Sequence, residues 1–202
     1  KTHPSISTGL KNNKFGVSEE IAFDLYKKMS KEPCLKVSGI DCHIGSQMTS
    51  GMPIIEATDK IISLYKKLLA EGIKVDHIDM GGGLGVTYDN ETPPTPSEYC
   101  APILERLKDL DVSIYIEPGR AMVANACILL AKVQYQKDNG DKHFIITDTG
   151  MNDMIRPALY GSWMTIINTT VHPDGETVKS DVVGPICESD DFLGKDRKLN
   201  VR

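Results

Sequence analysis

Three short motifs follow one another at nearly constant spacing, and each one closes a run of apolar residues. They are His43-Ile44-Gly45-Ser46-Gln47, Gly81-Gly82-Gly83-Leu84-Gly85 and Glu117-Pro118-Gly119-Arg120. The apolar runs begin roughly 37 residues apart, which is enough chain for a strand, a helix and their connections. Repeated strand–helix units make successive strands parallel, so the three motifs are expected to meet at one edge of a sheet.

Hydrophobic periodicity supports these units. Three runs rich in β-branched and apolar residues are predicted strands: 35–43, 75–80 and 112–116. A helix predicted over residues 53–71 ends before Gly72, and its apolar side comprises Ile54, Ala57, Ile61, Tyr65 and Leu68. An earlier helix over residues 19–29 starts after Ser18 as its N-cap. A further helix has an apolar side made of Tyr99, Ile103, Leu107 and Leu110.

Turn signals replace this pattern after Arg120. Two pairs of predicted strands flank short turns: 123–136 and 142–147 around Asn139-Gly140, and 165–171 and 178–186 around Pro173-Asp174-Gly175. We therefore predict an α/β protein in which part of a (β/α)8 TIM-type barrel (residues 1–125) precedes part of an antiparallel β-domain (residues 126–202). Three units do not close a barrel and an open sheet needs no more strands, but the motif set favours the barrel.

Composition narrows the possible partners and compartments. The net charge of −5 and the pI of about 5.5 give no electrostatic attraction to nucleic acid or to an anionic membrane. Nothing resembles a membrane span or a signal peptide. The five cysteines are scattered without CxxC pairs, which predicts reduced thiols in a cytoplasmic protein. Because the chain starts at Lys1 without an initiator methionine, we expect an interior piece of a longer protein.

Two motifs at the predicted sheet edge carry groups that suit a flat, phosphorylated cofactor. The glycines of Gly81-Gly82-Gly83 let backbone N–H groups approach a phosphate, although a tight turn without a ligand explains them equally well. His43 is either a structural histidine or a ring that stacks on a heteroaromatic ligand. Ser46 can donate a hydrogen bond to a phosphate.

The third motif offers a carboxylate at a half-buried strand end. Glu117 has two candidate partners, either Arg120 or a protonated ring nitrogen, and an opposite charge favours the ionised form of both groups. A metal role is poorly supported, because no second histidine lies at ligand spacing and His77 falls within a predicted strand. We predict no metal site.

Two later segments suit a charged substrate. Arg156 and Tyr160 are four residues apart at a predicted helix start, so they are either a solvated arginine beside a packed tyrosine or a clamp for a carboxylate. Cys187 and Glu188 follow a predicted strand. They are either a buried thiol beside a solvated acid or a proton donor beside a substrate-binding carboxylate.

Taken together, these segments resemble the diaminopimelate decarboxylase family of fold type III, alanine-racemase-like, pyridoxal-phosphate enzymes. The resemblance covers essentially the whole chain. Besides the three motifs, the matching stretches are 6–10, 13–16, 148–153, 156–161, 187–189 and 192–193. The segments Arg156-Pro157-Ala158-Leu159-Tyr160-Gly161 and Cys187-Glu188-Ser189 are the most specific to this family.

The resemblance implies a role for each candidate residue. His43 would stack on the pyridoxal ring, and Glu117 would bind the pyridinium nitrogen. The residues that would hold the cofactor and its phosphate are Ser46, Gly81, Gly82, Gly83, Gly119 and Arg120. Three residues would hold substrate carboxylates, namely Arg120, Arg156 and Tyr160. Glu188 would meet the distal ammonium group, and Cys187 would donate a proton after carbon dioxide leaves. His43 and Cys187 are thus the catalytic candidates.

The implied reaction is the pyridoxal-phosphate-dependent decarboxylation of meso-2,6-diaminopimelate to L-lysine and carbon dioxide, the last step of lysine biosynthesis. In this family Cys187 and Glu188 reach into the partner subunit's site, which implies a homodimer with shared sites. Neither nucleic acid nor a membrane is expected as a partner.

One departure from the family keeps alternatives open. The family's Schiff-base lysine lies on an early barrel strand in a Lys-Ala-Asn-type context, and this sequence contains no such segment. We expect the sequence to be the middle half of the enzyme. The alternatives are a sister decarboxylase of ornithine, lysine, arginine or carboxynorspermidine, and an inactive cofactor-binding fragment. A racemase is less favoured, because a carboxylate on the ring nitrogen favours a fully delocalised anion.

Overall fold

The computed structural model describes residues 14–170 and 173–201, which form two compact units. One unit contains the residues up to Thr87 together with Glu91–Cys127, and the other contains Tyr88–Asn90 and the residues from Ile128 onward. The elements are α1 (Glu19–Met29), β1 (Gly39–Asp41), α2 (Met52–Ala70), β2 (His77–Asp79), α3 (Pro96–Leu107), β3 (Ser113–Tyr115), α4 (Gly119–Val123), β4 (Val133–Asn139), β5 (Lys142–Thr147), α5 (Arg156–Tyr160), β6 (Glu176–Val183) and β7 (Phe192–Val201).

The first unit is built on a parallel sheet in the order β1-β2-β3, which confirms the predicted strand–helix units. Each strand is only three residues long, shorter than predicted. Single backbone bonds continue the pairing past the strand ends, since the Cys42 N–H donates to the Asp79 carbonyl at 3.0 Å and the Met80 N–H donates to the Tyr115 carbonyl at 3.0 Å. The parallel order carries all three motifs to one edge.

An apolar core lies between this sheet and its helices. The predicted helix faces are confirmed, because the buried residues include Ile54, Ala57, Ile61, Tyr65 and Leu68 of α2 and Tyr99, Ile103 and Leu107 of α3. Ile40 and Ile78 supply the sheet side of the core, and Leu110 packs against it from beyond the end of α3. Because side chains alternate along a strand, the neighbours of these isoleucines face the other way.

The helices begin at residues with capping side chains. Ser18 caps α1 as predicted, its hydroxyl accepting the Ile21 N–H at 3.4 Å. Thr95 and Glu98 form a capping box at the start of α3. Tyr26 ties α1 to the sheet by donating to the Gly39 carbonyl at 2.8 Å. Of the helices in residues 14–170 and 173–201, none is both long and apolar enough to cross a membrane.

The second unit contains a four-stranded sheet in the order β4-β5-β6-β7. β4 and β5 form the predicted antiparallel hairpin, whose turn residue Gly140 has a φ of +61°. β6 and β7 are antiparallel as well, whereas β5 and β6 run parallel. The sheet is therefore mixed rather than wholly antiparallel.

Two predicted strands of this half need correction. Residues 165–170 form no strand, and residue 171 lies outside the described residues. The antiparallel partner of β6 is β7, which the sequence analysis missed because its charged residues 195–198 hide the strand pattern. Asn168 instead pairs with β7 through its side chain, which donates to the Asn200 carbonyl at 2.9 Å and accepts the Asn200 N–H at 3.0 Å. The run 123–136 is strand only from Val133, because Val123 is the last residue of the short helix α4 and the residues between them form no strand.

Two adjacent leucines of α2 provide a test of this core. Leu68 is 0% exposed and Leu69 is 44% exposed. We expect Leu68→Ala to lower the free energy of unfolding by about 2–5 kcal/mol, because it removes buried methyl groups and leaves a cavity. The matched control Leu69→Ala should change it by less than about 1 kcal/mol. Urea denaturation followed by circular dichroism measures both, and equal losses would contradict the assignment of the buried face.

Candidate active site

The imidazole of His43 is oriented by the glycine loop of the next strand. His43 lies just beyond β1 and its side chain is exposed. The Gly82 N–H donates to His43 Nδ1 at 3.2 Å. This bond requires Nδ1 to be an acceptor, so the ring proton of the neutral imidazole sits on Nε2. The ring is thus fixed in orientation while its surface stays accessible to a ligand.

The three glycines are required by the structure itself, because other backbone segments pass close to their Cα atoms or because their φ angle excludes a side chain. A Cβ on Gly81 would meet the Cys42 carbonyl oxygen at 2.5 Å, and one on Gly82 would clash with the Glu117 carbonyl oxygen. Gly83 has a φ of +111°, which side chains rarely tolerate. The structure therefore brings the three motifs into direct backbone contact, as the sequence predicted.

Gln47 joins the three motifs through its side-chain amide. Its Oε1 accepts the Val86 N–H at 3.1 Å and an Arg120 Nη1–H at 3.0 Å, and its Nε2 donates to the Val86 carbonyl. Arg120 is thereby held at this edge. The sequence analysis quoted Gln47 within the first motif but gave it no role, because the distant acceptor and donor cannot be read from local sequence.

Three carboxylates lie together at the carboxyl ends of the strands. The side-chain oxygens of Asp41, Asp79 and Glu117 are all within 4.8 Å of one another. Burial and the neighbouring charge of Asp79 raise the pKa of Asp41. Such a group attracts a cation, whether a protonated ring nitrogen or a metal ion. The sequence analysis identified only Glu117 of the three, and its expectation of no metal site stays a prediction.

The same charges act on Cys42, which lies between Asp41 and His43. Burial, reinforced by Asp41 and Asp79, raises the pKa of the Cys42 thiol to about 12. This thiol stays protonated near neutral pH, and since the thiolate is the nucleophile it is unreactive there. Cys42 therefore serves as a small packing residue at the edge.

Two other predicted cofactor residues occupy the same edge. Ser46 is half-buried in the loop after β1, next to Gly45 and Gln47. Gly119 is exposed at the start of α4, and its N–H donates to the Glu117 carbonyl at 2.8 Å. A hydroxyl, an arginine and a small exposed residue are chemically suited to phosphate oxygens.

In the second unit the structure brings Arg156 and Tyr160 together on α5, as predicted. The guanidinium carbon of Arg156 lies 5.3 Å from the centre of the Tyr160 ring and 5.6 Å from that of Tyr88. Its Nη2 donates to Ser162 Oγ at 3.2 Å. The buried Nε has no hydrogen-bond partner among the described residues. Arg156 is thus anchored while part of its donor set is unused.

Cys187 and Glu188 are exposed on the loop between β6 and β7. A buried aspartate organises this loop, because the Asp191 carboxylate accepts the N–H of Ile186 at 2.7 Å and that of Met151 at 2.6 Å. Among the residues the structure describes, no hydrogen bond or ion pair joins Cys187 or Glu188 to Arg156. The structure therefore places Cys187 and Glu188 on a hydrogen-bonded loop. It shows no contact between this pair and Arg156 within the described residues.

A second arginine of this unit escaped the sequence analysis. Arg197 is 6% exposed, and its guanidinium carbon lies 3.2 Å from the centre of the Trp163 ring. Burial lowers the pKa of Arg197, and the charges of Asp89 and Asp196 oppose this. The charged run around Arg197 is typical of a solvated strand, so nothing local signals burial against an aromatic ring.

Comparison with known proteins identifies relatives of this chain. Residues 1–124 match the family model described as "Pyridoxal-dependent decarboxylase, pyridoxal binding domain". Diaminopimelate decarboxylase of Haemophilus influenzae is 55% identical over 99% of this chain and 48% of its own length. The enzyme of Vibrio cholerae is 52% identical over 98% of this chain and 48% of its own length.

A solved structure gives the same result. The crystal structure of diaminopimelate decarboxylase from Helicobacter pylori complexed with L-lysine is 44% identical, with a TM-score of 0.93. The match covers all of this chain and 50% of that one. This chain thus spans about half the length of the relatives it matches. It belongs to the pyridoxal-dependent decarboxylase family, and more than half of it matches that family's pyridoxal-binding domain.

Proposed function

We propose that the protein to which this chain belongs decarboxylates meso-2,6-diaminopimelate to L-lysine and carbon dioxide with pyridoxal phosphate. The observation that carries the proposal is the convergence of His43, the glycine loop and Glu117 at one sheet edge. The relatives that match almost all of the chain are diaminopimelate decarboxylases. The activity belongs to the whole protein rather than to these residues alone.

The residues at the sheet edge fit this cofactor in chemistry. The exposed ring of His43 can stack on a flat heteroaromatic ring. Glu117, with Asp41 and Asp79 beside it, favours a protonated ring nitrogen. Ser46, Gly119 and Arg120 suit the phosphate. When bound, the cationic ring accepts the electron pair of the bond that breaks.

Recognition of the substrate requires groups for both of its charged ends. Arg156 and Tyr160 can hold the carboxylate that remains in L-lysine, and Glu188 can hold an ammonium group. Arg120 is a second arginine suited to carboxylates. The Cys187 thiol can donate a proton to the carbon that loses carbon dioxide. Cys187 and Glu188 lie on an exposed loop held by Asp191, which favours a homodimer in which this loop completes the partner's site.

Cytoplasmic localisation is part of the same proposal. The cysteines are all free thiols: Cys34, Cys42, Cys100, Cys127 and Cys187. Proteins of oxidising compartments commonly pair their cysteines, whereas cytosolic proteins keep them reduced.

The substrate assignment is tested by comparing amino acids. We expect the whole protein, loaded with pyridoxal phosphate, to show kcat/KM for meso-2,6-diaminopimelate at least about 100-fold above that for L-ornithine or L-lysine. These competitors lack the second carboxylate and leave Arg156 unpaired. Release of labelled carbon dioxide measures the rates. Comparable values for ornithine would favour a sister decarboxylase, and no release from diaminopimelate would end the proposal.

The role of Cys187 is tested by Cys187→Ala. We expect kcat to fall by about 100-fold or more, because a positioned general acid is lost. Cofactor absorbance should remain as in the unaltered protein, since Cys187 does not hold the cofactor. Cys34→Ala, which removes another exposed thiol, is the matched control and should leave kcat unchanged. Unchanged turnover in Cys187→Ala would remove the thiol from the reaction.

A further inference from the structure

The segment Tyr88–Asn90 lies in sequence between two parts of the first unit but belongs to the second. Two arginines of that unit interact with this segment. The ring of Tyr88 contacts the guanidinium of Arg156, and the charge of Asp89 acts on Arg197. The sequence analysis gave none of these three segment residues a role.

The contact that Tyr88 makes with Arg156 differs from those of Tyr160 and Ser162 in where the residue comes from in the chain. Tyr160 belongs to the same short helix as Arg156, and Ser162 lies two residues beyond the end of that helix, so both are close to Arg156 in sequence. Tyr88 comes from a distant part of the chain, 68 residues away in sequence. The contact with Tyr88 therefore links the guanidinium to a segment outside its own helix.

The type of contact leaves the guanidinium free to bind an anion. An aromatic ring attracts a guanidinium through its π-face and takes none of its N–H donors. Arg156 spends one Nη2 donor on Ser162, and its buried Nε has no partner among the described residues. A carboxylate partner would have used these donors and neutralised the charge. Two tyrosine rings hold the side chain without doing either.

The reaction decides which carboxylate Arg156 should hold. An arginine bound to the departing carboxylate would stabilise the substrate more than the transition state, because the negative charge of that carboxylate disappears as carbon dioxide forms. Such binding raises the barrier to decarboxylation. An arginine on the carboxylate that is retained binds substrate and product alike. The unused donors of Arg156 therefore suit the carboxylate that is retained in the product. There, the position of the guanidinium determines the affinity for the substrate.

We propose that Tyr88 is a positioning residue for substrate recognition, which holds the Arg156 guanidinium for the retained carboxylate through its ring. This inference rests on the proposed function. It assigns Tyr88 no contact with the reacting atoms, so its removal should weaken binding of the carboxylate without slowing the chemical step.

The test compares Tyr88→Leu with Tyr88→Phe in the whole, cofactor-loaded protein. For Tyr88→Leu we expect the KM for meso-2,6-diaminopimelate and the Kd for L-lysine to rise about tenfold, with kcat within about twofold. Tyr88→Phe keeps the ring and should restore both constants. Tyr135→Leu removes an exposed tyrosine of β4 and serves as the matched control.

Cadaverine, which is L-lysine without its carboxylate, separates positioning from a merely structural role. Its Kd should be unchanged in Tyr88→Leu, because it makes no use of Arg156. Unchanged L-lysine affinity, or an equal loss of L-lysine and cadaverine affinity, would overturn the proposal. If Tyr88→Leu does not fold, Tyr88→Met supplies the same comparison. Failure of the unaltered protein to decarboxylate diaminopimelate would instead count against the proposed function.

Discussion

The candidate site depends on the close approach of three backbone segments at Gly82. Its N–H donates to the His43 ring, and its Cα lies so near the Glu117 carbonyl that no side chain fits. Because these segments follow three neighbouring parallel strands, their contact fixes an imidazole and a carboxylate relative to each other. Gln47 reinforces the arrangement by bonding both to Val86 and to Arg120.

Much of this arrangement could be predicted because its signals are local. Helical spacing identified the buried faces of α2 and α3, and the motif spacing predicted the parallel sheet. β7 was missed because the four consecutive charged residues 195–198 suggest a solvated loop, although Arg197 among them is buried. The strand predicted at 165–170 was wrong for the opposite reason, since β-branched residues there suggested the pairing with β6 that β7 makes instead. The strand pattern does not say which of two candidates pairs with β6.

Most of the functional contacts that escaped prediction join residues far apart in sequence. Asp191 ties the Cys187 loop to Met151, 40 residues away, by accepting the Met151 N–H as well as the Ile186 N–H, and Tyr88 contacts Arg156 across 68 residues of sequence. Neither role has a periodicity or a motif. Tyr88 contacts a predicted site residue, and Asp191 bonds the backbone of the loop that carries two of them. Sequence motifs therefore identified the groups proposed to touch a ligand and missed residues that contact those groups or their loops.

The three carboxylates link this geometry to stability. A raised pKa at Asp41 means that the folded chain holds its proton more tightly than the unfolded chain does. Stability therefore falls as the pH rises from the ordinary aspartate range through the raised pKa, and the loss persists above it. A cation at this edge reverses the sign, because it favours the ionised carboxylates and binds only to the folded chain. The acids whose mutual repulsion weakens this edge are thus the same groups by which a protonated ring would stabilise it.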